Sequence, residues 1–266
     1  MQAKPFLKWA GGKRQLLKHL RTFVPRSFDR YFEPFLGGGA LFFDLQPKKG
    51  VLSDVNPELV GCYTAVRDHV EDLIVVLREH RHDARHFYAV RKTDPATLSL
   101  VESAARTIFL NKTGFNGLYR VNRSGKFNVP FGSYAKPKIC DADNLRACSA
   151  ALANVHLSVR DFADAVAGAK KGDFVYFDPP YVPISRTATF TAYAAGGFGP
   201  DAQVRLSEVF GQLSERKVSV LLSNSDVPAI RKLYAAHRIH VVKASRAINS
   251  NAARRGPVSE VVVHPK

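Results

Sequence analysis

Seven short runs rich in β-branched and aromatic residues punctuate the chain, with amphipathic patterns of helical period between them. The runs are RYFEP (30–34), VLSDV (51–55), VHLSVRD (155–161), DFVYFD (173–178), VSVLLSN (218–224), IHVVK (239–243) and SEVVVH (259–264). Helical period is plain in KRQLLKHLRTF (13–23) and DAQVRLSEVFGQLSERK (201–217). Strands that alternate with helices predict an α/β fold around a largely parallel sheet. The rhythm breaks between residues 57 and 144. Helical stretches at 57–78, 84–92 and 97–111 lead there into KTGFNGLYRVNRSGKFNVPFGSYAKPK (112–138), rich in Gly, Asn and Pro and expected to be loop or hairpin. The pattern divides the chain into a sheet domain, 1–56 and 145–266, and a mostly helical insertion, 57–144.

The chain has 266 residues, 45% of them hydrophobic, enough for one sizeable core and a smaller appended module. No apolar run reaches the roughly 18 residues of a membrane span, and MQAKPFLKWAGGK lacks the apolar stretch of a signal peptide. A cytoplasmic protein with no membrane partner is expected. Cys62, Cys140 and Cys148 are odd in number and far from CxxC spacing, so they read as reduced, packed thiols. No His/Cys/Asp cluster points to a metal. Lys and Arg total 39 against 23 acids, a net charge of +16. An excess this large suggests a polyanionic partner, nucleic acid first and an anionic membrane second.

Two stretches carry chemistry. In YFEPFLGGGALFF (31–43) a strand runs into Gly37-Gly38-Gly39 and then an apolar helix start. Glycines there allow a tight turn and let a ligand approach backbone N–H groups. Asp54 stands at the end of the next strand, where an acid can accept hydrogen bonds from both ribose hydroxyls. Together these describe a nucleoside site; the glycines alone fit a tight turn without a ligand. The spacing is not GxGxxG and no basic residue sits in the turn. A nucleoside without pyrophosphate, such as S-adenosylmethionine, is favoured over a dinucleotide.

The second stretch is FVYFDPPYVP (174–183). Asp178 precedes a proline and is kept extended, and neither Pro179 nor Pro180 has an N–H to offer. Acceptors therefore gather at the carboxyl end of a strand, where open α/β sheets bind ligands, and Tyr181 adds a flat face. Such a set suits a planar ligand with an exocyclic amine. Accepting both amine hydrogens, on Asp178 and on the Pro179 carbonyl, favours the pyramidal, nucleophilic nitrogen and helps most as positive charge develops there. The bland alternative is a proline-rich surface loop with an Asp cap.

FLGGG, SDVN and DPPY in this order resemble the amino-group methyltransferases that act on DNA, and among them the alpha group of adenine-N6 enzymes. FLKWAGGK (6–13), NGLYRVNRSGKFNVPFG (116–132), DPPYVPISRTATFTAY (178–193) and INSNAARR (248–255) narrow the resemblance to the Dam-type DNA adenine methylases. It implies a Rossmann-like methyltransferase sheet with a target-recognition insertion, S-adenosylmethionine as methyl donor, no metal, and a monomer acting on double-stranded DNA in a bacterium or encoded by a phage. It implies Asp178, Pro179 and Tyr181 as the catalytic set. It implies cofactor contacts at Trp9, Lys13, Phe35, Gly37, Gly39, Asp54, Asp161, Phe162 and Asp178. Each has a plain reading beside this one: Trp9 as a core aromatic, Lys13 as a solvated lysine at a helix start, Asp161 as a helix N-cap before a buried ring.

No acidic residue occurs from Ser103 to Cys140, and within 112–138 six basic residues interleave with five aromatics. That mixture suits phosphate contacts and groove readout, although a solvated basic loop has the same composition. The resemblance implies DNA contacts at Phe115, Asn116, Leu118, Arg120, Asn122, Pro130, Ser133 and Lys136, with Arg120 forked onto a guanine edge. Ser133 and Ala135 lack the charge that many Dam-type enzymes carry after NVPFG, so GATC or a close variant is the expected site, with Lys136 or Lys138 as substitutes. Arg254 and Arg255 are candidate phosphate contacts. VPISRTATFTAYAAGGFG (182–199), with Phe190 and Tyr193, is a candidate cover over the pocket. RNA adenine, cytosine N4 and a protein glutamine amide remain alternative substrates, the last disfavoured by Asp rather than Asn before the prolines. A basic DNA-binding protein with a disused cofactor pocket is the alternative of another class.

Overall fold

In the computed structural model, residues 1–9, 11, 13–122, 124–182, 198–245 and 257–266 are described. Seven strands form one sheet: β1 (Tyr31–Glu33), β2 (Gly50–Asp54), β3 (Val155–Val159), β4 (Phe174–Phe177), β5 (Ser219–Ser225), β6 (Arg238–Ser245) and β7 (Pro257–His264). Their order is β3-β2-β1-β4-β5-β7-β6. The first five run parallel to their neighbours, and β7 is antiparallel to both β5 and β6. All seven runs expected as strands are strands, and the fold is the mixed α/β, mostly parallel sheet of a Rossmann-like methyltransferase.

Ten α-helices occur among the described residues: α1 (Leu17–Arg21), α2 (Ala40–Leu45), α3 (Pro57–Asp68), α4 (Val70–Glu79), α5 (Ala84–Lys92), α6 (Leu100–Thr113), α7 (Ala142–Leu152), α8 (Phe162–Val166), α9 (Pro200–Glu215) and α10 (Pro228–Leu233). They cover both sheet faces, which is why β4 reads FVYF with every residue buried. One core holds Leu20, Phe42, Tyr63, Ile108 and Leu152 against Tyr31, Leu52 and Tyr176. The opposite core holds Phe162, Leu206, Phe210 and Ile230 against Phe32, Val175 and Leu222. A third, small cluster of Phe87, Phe109, Leu110, Tyr119, Phe127 and Val129 lies under the 112–138 segment.

Three helical expectations are corrected. The stretch 57–78 is two helices, because His69 leaves the helical region (φ −137°, ψ 38°) and ends α3 while opening α4. The break lets α4 turn Leu73, Ile74 and Leu77 into the core already filled by α3. The stretch 97–111 begins later, since Ser99 and Glu102 close a capping box at the start of α6. The run 13–23 is a 3-10 turn at Lys13–Gln15 followed by a five-residue helix; its first side chain turns inward to an acid.

The sheet positions the site. Strand order departs in opposite directions from β1 and β4, so the crevice beyond their carboxyl ends is the topological switch point. The glycine turn follows β1 and Asp178 follows β4. Two motifs far apart in sequence meet there.

Candidate active site and nucleic-acid interface

Gly37 and Gly39 both adopt positive φ, 46° and 61°, as the turn between β1 and α2 requires. The Gly37 N–H donates to Asp54 Oδ2 at 3.2 Å and the Asn56 N–H to Asp54 Oδ1 at 3.0 Å. Tyr63 donates its hydroxyl to the Gly37 carbonyl at 3.1 Å. Burial pushes the Asp54 carboxyl up to about 6 against these backbone donors. Trp9 lies on the turn, where a Cβ added at Gly37 would come within 2.9 Å of its Cδ1. The other neighbour of Trp9 is Tyr119, stacked at 5.1 Å. The single tryptophan thus joins the glycine turn to the 112–138 segment.

Phe35 stacks on Phe162 at 5.4 Å, and Phe198 packs edge-on to both. Asp161 caps α8 by accepting from the Ala163 N–H at 2.9 Å, and Phe162 is buried. Sequence reading did not find Arg205. Its guanidinium forks onto the Asp161 carboxylate and lies 4.6 Å over the Phe162 ring. The N-cap and the buried ring are therefore both present at the end of β3.

Asp178 sits at the end of β4. Its Oδ1 receives the Lys13 ammonium at 2.9 Å and the Ser223 hydroxyl at 3.0 Å. The Tyr176 hydroxyl lies 2.9 Å from that of Ser223. Burial raises the Asp178 pKa and the Lys13 charge opposes the rise. Lys13 also donates to the Gly11 carbonyl at 2.8 Å and stands 4.2 Å over the Tyr181 ring. The structure thus brings Lys13 to Asp178 and Tyr181 rather than to Asp54. Tyr181 donates its hydroxyl to Glu260 Oε2 at 2.6 Å. Ser223 and Glu260 were missed by sequence reading; a polar run at the end of an apolar strand, SNS (223–225), was the available signal.

In the 112–138 segment Phe115 is 47% exposed, a large ring left in solvent. Asn116 takes a left-handed conformation (φ 54°), so the backbone turns sharply beside that ring. The Phe115 N–H donates to the Pro130 carbonyl at 2.9 Å, which brings the two ends of the segment together. Arg120 is exposed and held by Asn128, Nε to Oδ1 at 2.8 Å. Asn122 spends its side-chain oxygen on the N–H groups of Ser124 and Lys126, both at 3.0 Å. Leu118 is half-buried, whereas Pro130, Ser133 and Lys136 are exposed. Lys138 is engaged by Asp141 at 2.7 Å. Lys8 reaches over Tyr134 at 4.0 Å, and Asn111 ties the Lys8 backbone to the Gly117 carbonyl. Arg123, Phe190, Tyr193, Arg254, Arg255, most of the candidate cover and the INSNAARR run lie outside the described residues.

Residues 9–248 match the family of D12 class N6 adenine-specific DNA methyltransferases. The chain is 44% identical to the Type II methyltransferase M1.LlaDCHI of Lactococcus lactis subsp. cremoris, over 98% of this chain and 94% of that protein. It is 40% identical to the Type II methyltransferase M.MjaIII of Methanocaldococcus jannaschii, over 96% of each. It is 35% identical to the DNA adenine methylase of Escherichia coli K12, over 97% of this chain and 94% of that one. The chain belongs to the D12 class: it is a DNA methyltransferase specific for the N6 position of adenine. No helix among the described residues is long and apolar enough to cross a membrane.

Proposed function

We propose that the chain transfers a methyl group from S-adenosylmethionine to N6 of an adenine extruded from duplex DNA, at GATC or a close variant. The observation that carries this reading is the seat of Lys13. A cationic N–H donor already rests on the Asp178 carboxylate and over the Tyr181 ring, 2.9 and 4.2 Å away. An amine nitrogen gaining a methyl group develops the same charge and needs the same surroundings.

The residues present suit the donor. Asp54 holds both oxygens in place through backbone N–H groups, yet each keeps a lone pair for a ribose hydroxyl. Phe35, Phe162 and Asp161 gather at the end of the neighbouring strand, with Trp9, Gly37 and Gly39 at the turn. S-adenosylmethionine supplies, when bound, a methyl carbon made electrophilic by its sulfonium. The rest of the work falls to the chain. Asp178 Oδ1 is filled by Lys13 and Ser223, so Oδ2 is the oxygen left to accept one amine hydrogen. The Pro179 carbonyl has no hydrogen-bond partner among the described residues and accepts the other. Tyr181 stacks on the base, and extrusion costs a few kcal/mol.

Residues 57–144 read the target. Arg120 forks onto a guanine edge, and Phe115, Asn116, Leu118, Asn122 and Pro130 line the duplex. Lys136 takes the outer contact that Ser133 cannot make, since Lys138 is held by Asp141. The enzyme acts as a monomer in the cytoplasm, where a Type II modification role would place it.

The test is methyl incorporation into duplex GATC, a scrambled duplex and structured RNA, followed by sequencing of the modified bases. Incorporation at adenine in GATC, lost in Asp178→Ala with DNA binding retained, is the expected outcome. Preference for RNA, or full activity in Asp178→Ala, overturns it.

A further inference from the structure

β5 ends in three consecutive polar residues, Ser223, Asn224 and Ser225, each fully buried. A strand covered on both faces is ordinarily apolar there, and burying hydroxyls and amides stabilises nothing unless each finds a partner. The partners form a pattern. Ser223 donates to Asp178 Oδ1 at 3.0 Å. Asn224 Nδ2 donates to Gln203 Oε1 at 3.0 Å, and Gln203 Nε2 donates to the Pro180 carbonyl at 3.1 Å. Ser225 donates its hydroxyl to the Val182 carbonyl at 3.1 Å. Glu260 pairs with Ser225 in the β5–β7 ladder and accepts the Tyr181 hydroxyl at 2.6 Å. Four of the five residues from 178 to 182 are thus held by side chains of β5, α9 and β7. The fifth is Pro179.

The physical reason lies in the prolines. Two successive residues without an N–H cannot fix this segment through a backbone ladder. Its geometry must come from side chains outside it. We propose that Ser223, Asn224, Ser225, Gln203 and Glu260 are positioning residues: they hold the 178–182 segment so that Asp178 Oδ2 and the Pro179 carbonyl alone remain for the target amine, with the Tyr181 ring fixed beside them. The proposal rests on the reading of Asp178 and Tyr181 given above. A buried polar shell is what keeps such a constellation within a fraction of an ångström of its working geometry, and misplacement by about 1 Å costs on the order of a hundredfold in rate.

The test is single-turnover methyl transfer to unmethylated genomic DNA, with KM for DNA and the thermal midpoint measured alongside. Ser223→Ala slows transfer roughly tenfold to a hundredfold while KM for DNA stays within about threefold, a split that global destabilisation does not produce. Glu260→Leu and Tyr181→Phe each slow transfer by a similar factor, and the double variant is no slower than either, because both delete one contact. Glu260→Gln keeps an acceptor for the hydroxyl and restores the rate. Parent-like transfer in Ser223→Ala, or losses that multiply in the double variant, overturns the proposal. If Ser223→Ala does not fold, the Tyr181→Phe and Glu260 series decides. Asp178→Ala separates the two levels. Activity there removes the underlying reading, whereas a dead Asp178→Ala beside unimpaired shell variants removes the shell alone.

Discussion

Lys13 Nζ is 2.9 Å from Asp178 Oδ1, and only 5% of the lysine is exposed. A buried ion pair gives up hydration that its own attraction barely returns, so it is weak evidence for a stabilising role. Its consequence lies in the titration of Asp178. Burial drives that carboxyl up and the ammonium is the largest influence holding it down.

Lys13→Met removes the opposing charge and leaves burial unchecked. The Asp178 pKa climbs, and the acidic limb of the pH–rate profile moves to higher pH. Each pKa unit of that climb costs about tenfold in rate at pH values below it. A pH profile of kcat measures the shift; an acidic limb that stays in place removes Lys13 as the counter-charge.

Arg120 presents its guanidinium from an exposed loop, and Asn128 fixes it through both Nε and the terminal nitrogen. Deleting a forked arginine loses about 1–3 kcal/mol of discrimination at one base pair. Arg120→Ala is expected to broaden the methylated-site logo at a single guanine while transfer itself continues. Asn128→Ala broadens the same position less, since the fork survives with a looser stem. Sequencing of DNA methylated by each variant reads both outcomes, and an unchanged logo in Arg120→Ala counts against it as a base reader.

The strands were legible because each is a compact β-rich run bounded by turn residues, and the two motifs because glycines and prolines change what the backbone can do. The helix break at His69 was not legible. Residues 57–78 keep one helical period across it, and only the packing of α4 against the rest of the core forces the turn. Lys13 was placed near the cofactor by sequence because nothing local says which way a lysine at a helix start will point. Ser223 and Glu260 escaped for a related reason. Their partners lie 45 and 79 residues away, and a serine within an apolar strand gives no hint of which carboxylate it meets.

Asp54 titrates at about 6, above its ordinary value of 3.8, because burial disfavours the charge. A raised folded-state pKa contributes stability that is complete below pH 3.8 and lost as pH rises through about 6. Asp54→Asn removes that charging cost, so the ligand-free variant gains on the parent at neutral pH, by at most ~3 kcal/mol. S-adenosylmethionine affinity moves the other way. A ribose needs a charged acceptor, so affinity in the parent falls below about pH 6, and the variant binds weakly at every pH. Calorimetric titration across that range reads both trends; a parent affinity flat in pH removes Asp54 as the ribose acceptor.

Gly37 combines φ 46° with the closest approach of a ring to the glycine turn, since a methyl group there would stand 2.9 Å from Trp9 Cδ1. Gly37→Ala therefore meets two costs, about 1–2 kcal/mol for a side chain in the left-handed region and the displacement of a wedged indole. The second reaches further than the turn. Trp9 stacks on Tyr119, so an indole pushed off the turn also disturbs the small core under the 112–138 segment. Gly37→Ala is expected to weaken S-adenosylmethionine binding and DNA binding together, although no DNA-facing residue has changed. Replacing Trp9 by Leu in the same chain relieves the clash at the turn while removing the link to Tyr119. Cofactor affinity then recovers in the double variant and DNA affinity does not. Separate titrations with cofactor and with duplex measure the two responses, and a Gly37→Ala protein that loses cofactor affinity alone shows that Trp9 does not couple them.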